Sequence, residues 1–306
     1  MQEPEVYCMS SIRLMTLNDL TQVAELDALA FNTARRTGKH LQACLDLNPT
    51  GCFVATATNN HLIGYVFTRM WGKLGWIGVL GVHRDRQGKG FGKALVNTAI
   101  KYLRDSKCQI IGISTAADKP DNVGLYIAFG FLPCCPTLEL FKTTEQPKEY
   151  TPFTFSNQID RDKALKIVSQ ISQQARSGLD YASEVRNACN YQWGKTLFFG
   201  ESQPWAFALV RTEPIRAGSV PKVLEISVIA MPKEQRNELP TVFNAIEGLA
   251  YQQNYSQIHL AVDAGDPESL RQALRYGFRV KAVRIRMTLE HLLEPAIGVD
   301  LSRWAM

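Results

Sequence analysis

The chain repeats itself, and this limits its possible folds more than any average property. The stretch QIIGISTAADKPDNVGLYIAFGF, residues 109–131, can be laid over SQIHLAVDAGDPESLRQALRYGF, residues 256–278, without a gap at a shift of about 147 positions. Pro120 then falls on Pro267, Ile111 on Ile258, Gly130 on Gly277 and Phe131 on Phe278. Upstream, NTAIKYL lies over FNAIEGL at a shift one smaller. A period this long is a duplicated domain, because solenoid repeats run about 20 to 50 residues. The 306 residues suffice for two ordinary domains. The polar stretch TTEQPKEYTP, 143–152, holds two prolines and no periodicity, so the expected division is 1–145 and 146–306.

Within the first copy, Ile12 to Met15 reads as a strand. A helix follows, started by Asn18 and Asp19, with Leu20, Val23, Ala24 and Phe31 on one stripe and Asp27 among them. CFVATA and HLIGYVFTRM read as two strands around the turn signal Asn59–Asn60, and GWIGVLGV as another, interrupted by Gly78 and Gly81. Glycine inside a strand signals a bulge or a close backbone approach. Val96, Ala99, Ile100 and Leu103 mark one face of a helix, QIIGISTA a buried strand, and DNVGLYIAFGF a helix ending at Gly130. Arg35 and Arg36 read as solvated loop residues, with contact to an acidic substrate as the alternative. Tyr191, Trp193, Trp205 and Arg211 read as core of the second copy, or as the wall of a cleft.

Bulk properties exclude several classes. Hydrophobic residues make up 45% and charged ones 21%, as in a globular protein with sizeable cores. A net charge of +5 suits a small anionic ligand better than a nucleic-acid track. The seven cysteines are odd in number and lack zinc spacing, so no metal site and reduced thiols are expected. The start MQEPEVYCMSS has no signal-peptide pattern, and no apolar run approaches the roughly 20 residues that span a bilayer. A cytoplasmic protein without membrane contact is expected, as a monomer or homodimer.

The stretch RDRQGKGFGKAL, 84–95, follows a strand and opens a helix. Helix N-termini leave unpaired N–H groups and positive potential, and bare glycines let an anion reach them. The spacing fits neither a P-loop nor a dinucleotide fingerprint. It fits [R/Q]-x-x-G-x-[G/A], read as Gln87, Gly90 and Gly92. This resembles the pyrophosphate loop of the GCN5-related N-acetyltransferase superfamily. A second signature of that superfamily, N-V-x-x-Y-x-x-x-G-F, appears in order as Asn122, Val123, Tyr126, Gly130 and Phe131. The resemblance covers residues 11 to 145; beyond 150 it covers topology but not chemistry.

The resemblance implies an α/β (α+β) fold of two tandem domains. Each has a mixed, mostly antiparallel sheet flanked by helices, with its fourth and fifth strands splayed apart. It implies acetyl-coenzyme A as cofactor, with Leu80, Gly81 and Val82 lining the pantetheine arm. Gln87, Gly88, Lys89, Gly90, Phe91, Gly92 and Lys93 would form the pyrophosphate cradle, near Asn122 and Tyr126. The implied reaction is acetyl transfer to a primary amine of a small molecule or peptide. A lysine-type amine is neutral in only about one molecule in 2500 at pH 7, equivalent to ~4.6 kcal/mol, so a base or a pKa-lowering site is needed. Tyr126 is carried over as the acid for the departing thiolate. Many relatives place a glutamate near the start of the fourth strand, where this chain has Trp76; His83 and Asp27 remain the candidates for the base.

In the second copy the glycine loop becomes KEQRNE, 233–238, and Tyr126 falls on Ala273. This half is expected to keep the fold without the cofactor. The alternatives are a non-catalytic acyl-CoA sensor or interaction scaffold, and a nucleotide-binding regulator, which the glycine spacing disfavours.

Overall fold

The computed structural model describes residues 9–57, 60–200, 203–218, 223–290 and 296–304. Asn59 and Cys8 lie outside them. The first half runs β1 (Met9–Leu14), α1 (Leu20–Phe31), α2 (Gly38–Leu47), β2 (Phe53–Ala57), β3 (Leu62–Trp71) and β4 (Leu74–Val82). It continues through α3 (Phe91–Asp105), β5 (Ile110–Ala116), α4 (Pro120–Ile127), β6 (Phe131–Pro133) and β7 (Thr137–Thr143). The second half repeats this order: β8 (Thr154–Phe155), α5 (Arg161–Ala175), α6 (Ala182–Tyr191), β9 (Gly194–Phe199), β10 (Ala206–Arg211) and β11 (Val223–Met231). Then come α7 (Leu239–Gln252), β12 (Gln257–Asp263), α8 (Pro267–Arg275), β13 (Arg279–Leu289) and β14 (Val299–Ser302). β12 begins at Gln257, 147 residues after β5 begins at Ile110, so the sequence repeat is a repeat of structure.

Each half carries helices on both faces of its strands, for the reason the patterns gave. On α3, Leu95, Val96, Ala99, Ile100 and Leu103 are buried against the sheet. Each large member of that face contributes about 1.5–3 kcal/mol of burial. Phe31 departs from its stripe: it is the last residue of α1, 46% exposed, where the chain turns at Asn32 with φ 53°.

The two halves share one 14-stranded sheet, ordered β1-β2-β3-β4-β5-β13-β7-β12-β11-β10-β9-β8, with β6 paired to β13 and β14 to β11 off this path. The halves exchange strands at its centre. β13 lies between β5 and β7, and β7 lies between β13 and β12. The last strand of each half thus completes the sheet of the other, and the division at 145/146 is not a break in the sheet. One hydrophobic cluster also spans both halves, joining Ala43, Trp71, Leu74 and Trp76 to Val168, Tyr181, Phe207 and Trp304.

β4 pairs with β5 in parallel only from Leu74 to Ile77, opposite Ile110 to Ile113. Beyond that the strands separate. A bulge sits at the same point: Val66 pairs with Leu80 and Thr68 with Ile77, so Gly78 and Val79 face Phe67 alone. Bulges bend a strand and break a ladder. Gly81 has a different reason for lacking a side chain, since a Cβ there would come within 2.4 Å of the Tyr65 ring.

Candidate cofactor and active site

The splay leaves Leu80, Gly81 and Val82 paired to β3 on one edge and without a strand partner on the other, among the described residues. From Val82 the chain passes His83, a single helical turn at Arg84–Arg86, and then the glycine loop. Gly88 and Gly90 have φ of 73° and 87°, the left-handed region that side-chain-bearing residues seldom enter. Gly90 is the N-cap of α3. A Cβ at Gly88 or Gly90 would meet nothing within 4 Å, so open space lies over the loop. Phe91 anchors the helix start in the core, while Lys89 and Lys93 are exposed. The Gln87 amide donates to the Val82 carbonyl at 3.2 Å, tying loop to strand. A free strand edge leading to a glycine nest at the N-terminus of a 15-residue helix fits a ligand with an extended amide-bearing arm and a diphosphate.

Tyr126, on α4, is buried in the same cluster as Phe91, with Leu80 and Val82 packed at its side. Its ring meets Phe131 edge-on, with centroids 6.1 Å apart. Among the described residues its hydroxyl makes no hydrogen bond. Burial pushes its pKa up to about 12, partly opposed by the charge of Arg284. Arg284 belongs to β13 and faces Ala116 of β5, so the strand exchange delivers a second-half guanidinium to the first half. The sequence gives no local sign of this. Asn122 is exposed in the first turn of α4, its N–H bonded to the Lys119 carbonyl at 3.1 Å.

Asp27 lies on the opposite face, packed with α1 and α2, and is fully buried. Tyr65 donates its hydroxyl to Oδ1 at 2.5 Å, Arg36 its Nε at 3.0 Å, and Arg216 its Nη1 to Oδ2 at 2.6 Å. Both carboxylate oxygens are therefore engaged by two guanidinium groups and a phenol. Arg36 is correspondingly no solvated loop residue; it is 8% exposed, drawn inward by this pair. Arg35 does stay outside, against Glu25. His83 accepts the Asp85 N–H through Nδ1 at 3.4 Å, with its side chain 38% exposed.

The second half closes the equivalent gap. β11 pairs with β12 only from Val223 to Glu225, and then β14 takes over, pairing Val299 to Ser302 with Met231 to Val228. The carboxy-terminal strand thus fills the splay. The loop 233–238 is a helical turn without glycine, and its Arg236 donates Nη2 to the Gly298 carbonyl at 2.6 Å, fastening the entry to β14. Asp300 binds Arg176 at 2.9 Å and Tyr181 at 2.8 Å. Trp304 packs between Trp71, Trp76 and the Arg286 guanidinium. Neither β14 nor Trp304 was foreseeable from the repeat, because both lie beyond its end.

A duplicated α/β fold with splayed central strands and a glycine loop capping a helix defines the class: a tandem GNAT-type fold. Residues 18–131 match the family described as the acetyltransferase (GNAT) family. That match lies within the first half and covers residues 18–131 of the 306. Among curated proteins it is similar to the mycothiol acetyltransferase of Pseudarthrobacter chlorophenolicus, 32% identical over 90 residues, 28% of either chain. The Streptomyces coelicolor mycothiol acetyltransferase is 30% identical over 116 residues, 35% of this chain and 37% of that one. The matched stretch thus spans little more than a third of these relatives at most. Whole-chain likeness appears among solved structures. A candidate acetyltransferase from Pyrococcus horikoshii aligns with a TM-score of 0.73 at 18% identity, covering 99% of this chain and 98% of that one. A tandem GNAT protein from the clavulanic acid biosynthesis pathway aligns at 0.61 with 15% identity, covering 94% and 99%. No helix among the described residues is long and apolar enough to cross a membrane.

Proposed function

We propose that the chain is an acetyl-CoA-dependent N-acetyltransferase acting on a primary amine of a small molecule or peptide. Its single working site lies in residues 1–145, completed by β13. One contrast carries this reading: the first-half splay is free and ends in a left-handed glycine loop, while the second is filled by β14 and ends in KEQRNE. The match of residues 18–131 to the acetyltransferase (GNAT) family supports the choice of donor.

The bound donor supplies an activated acetyl group. The edge of Leu80–Val82 holds the pantetheine amides as an added strand would. The N–H groups of Gln87 through Gly92 take the diphosphate, with Lys89 and Lys93 adding positive charge. Tyr126 keeps its proton until the leaving sulfur needs it. Asp27 orders Tyr65, Arg36 and Arg216, and acts through position. His83 caps the turn that begins the loop, its Nδ1 taken up by the Asp85 N–H. With Asp27 held by three partners and His83 engaged in the turn, the amine's proton goes to solvent before attack.

Titration calorimetry with acetyl-CoA tests the reading. One site per chain is expected, and Gly90→Glu should abolish it; two equal sites, or none, would overturn it. A chain that binds one acetyl-CoA yet acetylates no amine in a screen of polyamines, aminoglycosides and peptide lysines would be a sensor instead.

A further inference from the structure

A cavity lies at the seam between the halves, away from the glycine loop. β3 contributes Arg69 and Trp71 to it, β10 contributes Arg211, β11 contributes Glu225 and Ser227, and the carboxy-terminal segment contributes Ser302 and Arg303. Glu184, in the first turn of α6, completes its charged lining. Three guanidinium groups therefore face two carboxylates.

The pairing leaves Arg211 without a contacting carboxylate. Glu184 accepts from Arg69 and, at 3.0 Å, from the Trp71 indole. Glu225 is bound by Arg303 at 3.0 Å, and Arg303 also reaches Glu139 at 3.0 Å. Arg211 has no carboxylate within ion-pair distance among the described residues, although Glu225 is its cross-strand neighbour. Its guanidinium lies 4.0 Å above the Trp193 ring, which fixes its plane.

Unmet hydrogen bonds point the same way. Arg69 Nε, Arg303 Nε and Ser302 Oγ are all buried without a partner. Buried polar groups without partners are few in folded proteins, and a cluster of them calls for a missing ligand or water. Here the deficit is almost wholly of acceptors, beside a guanidinium that no carboxylate contacts. His40, behind Arg69, does not add to that charge, because burial and the surrounding arginines hold its ring neutral.

We infer that this seam cavity binds one compact carboxylate, gripped by the Arg211 fork and bridging the two halves. A carboxylate matches a guanidinium with two parallel hydrogen bonds and would supply the partner that Arg211 lacks. The site is separate from the proposed acetyl-transfer site, and its test does not depend on that reading.

The full-length protein is titrated with sodium formate against sodium chloride at equal ionic strength, following the thermal midpoint and the NMR linewidth of carbon-13 formate. Formate should raise the midpoint to a plateau and broaden saturably, while chloride does neither. Arg211→Met should weaken formate binding at least tenfold, and Arg211→Lys, which keeps the charge but loses the fork, should fall between. A wild-type response that never saturates or that chloride reproduces would mean water fills the cavity, and would overturn the inference. So would undiminished binding in Arg211→Met; if that variant does not fold, undiminished binding in Arg211→Lys overturns the carboxylate fork.

Discussion

Tyr126 and Asp27 lie in opposite layers of the first half, and their neighbours give them different chemistry. The Tyr126 hydroxyl has no acceptor among the described residues and a pKa near 12 from burial, so it holds its proton at any working pH. Tyr126→Phe should lower kcat by about 100-fold or more, the usual worth of a positioned acid, with the acetyl-CoA dissociation constant unchanged. With no enzyme base titrating, kcat/KM should rise with pH until the amine's own pKa, and Tyr126 should add no falling limb below about pH 11. A pH dependence of kcat/KM that His83→Gln removes would show that His83 takes the amine's proton. Asp19 gives a stability counterpart. Two hydrogen bonds from Arg13 at 2.8 Å, with help from Thr16, lower its pKa from 3.8 to about 2. A depressed carboxylate stabilises the fold above its unfolded pKa and loses that effect as pH falls through the folded value. Urea midpoints of wild type and Asp19→Asn should therefore differ at pH 6 and converge as pH approaches 2.

At the scale of elements, β14 is what separates the two copies, and Gly298 is where it enters. A Cβ there would lie 2.3 Å from the Met231 carbonyl oxygen, a backbone atom with little room to yield. Gly298→Ala should cost about 1–3 kcal/mol, the usual penalty for overpacking, and speed amide exchange over Val299–Ser302. It should not create a second acetyl-CoA site, because Glu234 and Glu238 remain in the loop. Much of the first half could be read in advance, and the reason is local. The face of α3 is written at helical spacing, and Gly88 and Gly90 mark backbone that only glycine adopts freely. The bulge at Gly78 announced itself as a glycine inside a strand. The exchange of β7 and β13 could not be read this way, since alternation tells a strand which face to bury but not which neighbour to choose. Arg284 beside Tyr126 was hidden for that reason. Arg36 was misjudged because its carboxylate partner, Asp27, sits nine positions earlier on a helix stripe that looked apolar.

The whole molecule behaves as one unit, although its sequence is two. β13 completes the first sheet, β7 the second, and the cluster around Trp76 and Trp304 draws on both halves. The seam is also polar where it needs direction: Arg69 binds Glu184, Asn187 donates to the Ala43 carbonyl at 3.0 Å, and Lys73 donates its N–H to Gly178 at 2.8 Å. Separating the halves would strip strands from each sheet and leave these groups unpaired, so a state with one half unfolded has little to recommend it. Heat should therefore melt the chain in a single transition, with calorimetric and van't Hoff enthalpies equal. Acetyl-CoA gives the sharper check, because it should bind the first half alone. At 100 times its dissociation constant it adds about 2.7 kcal/mol to the folded state, or roughly 4 °C in a chain of this length. That shift should appear equally in probes of both halves, including amide exchange in β9 and β10, far from the glycine loop. A shift confined to residues before 145 would show two independently melting domains, and the exchanged strands would then not couple them.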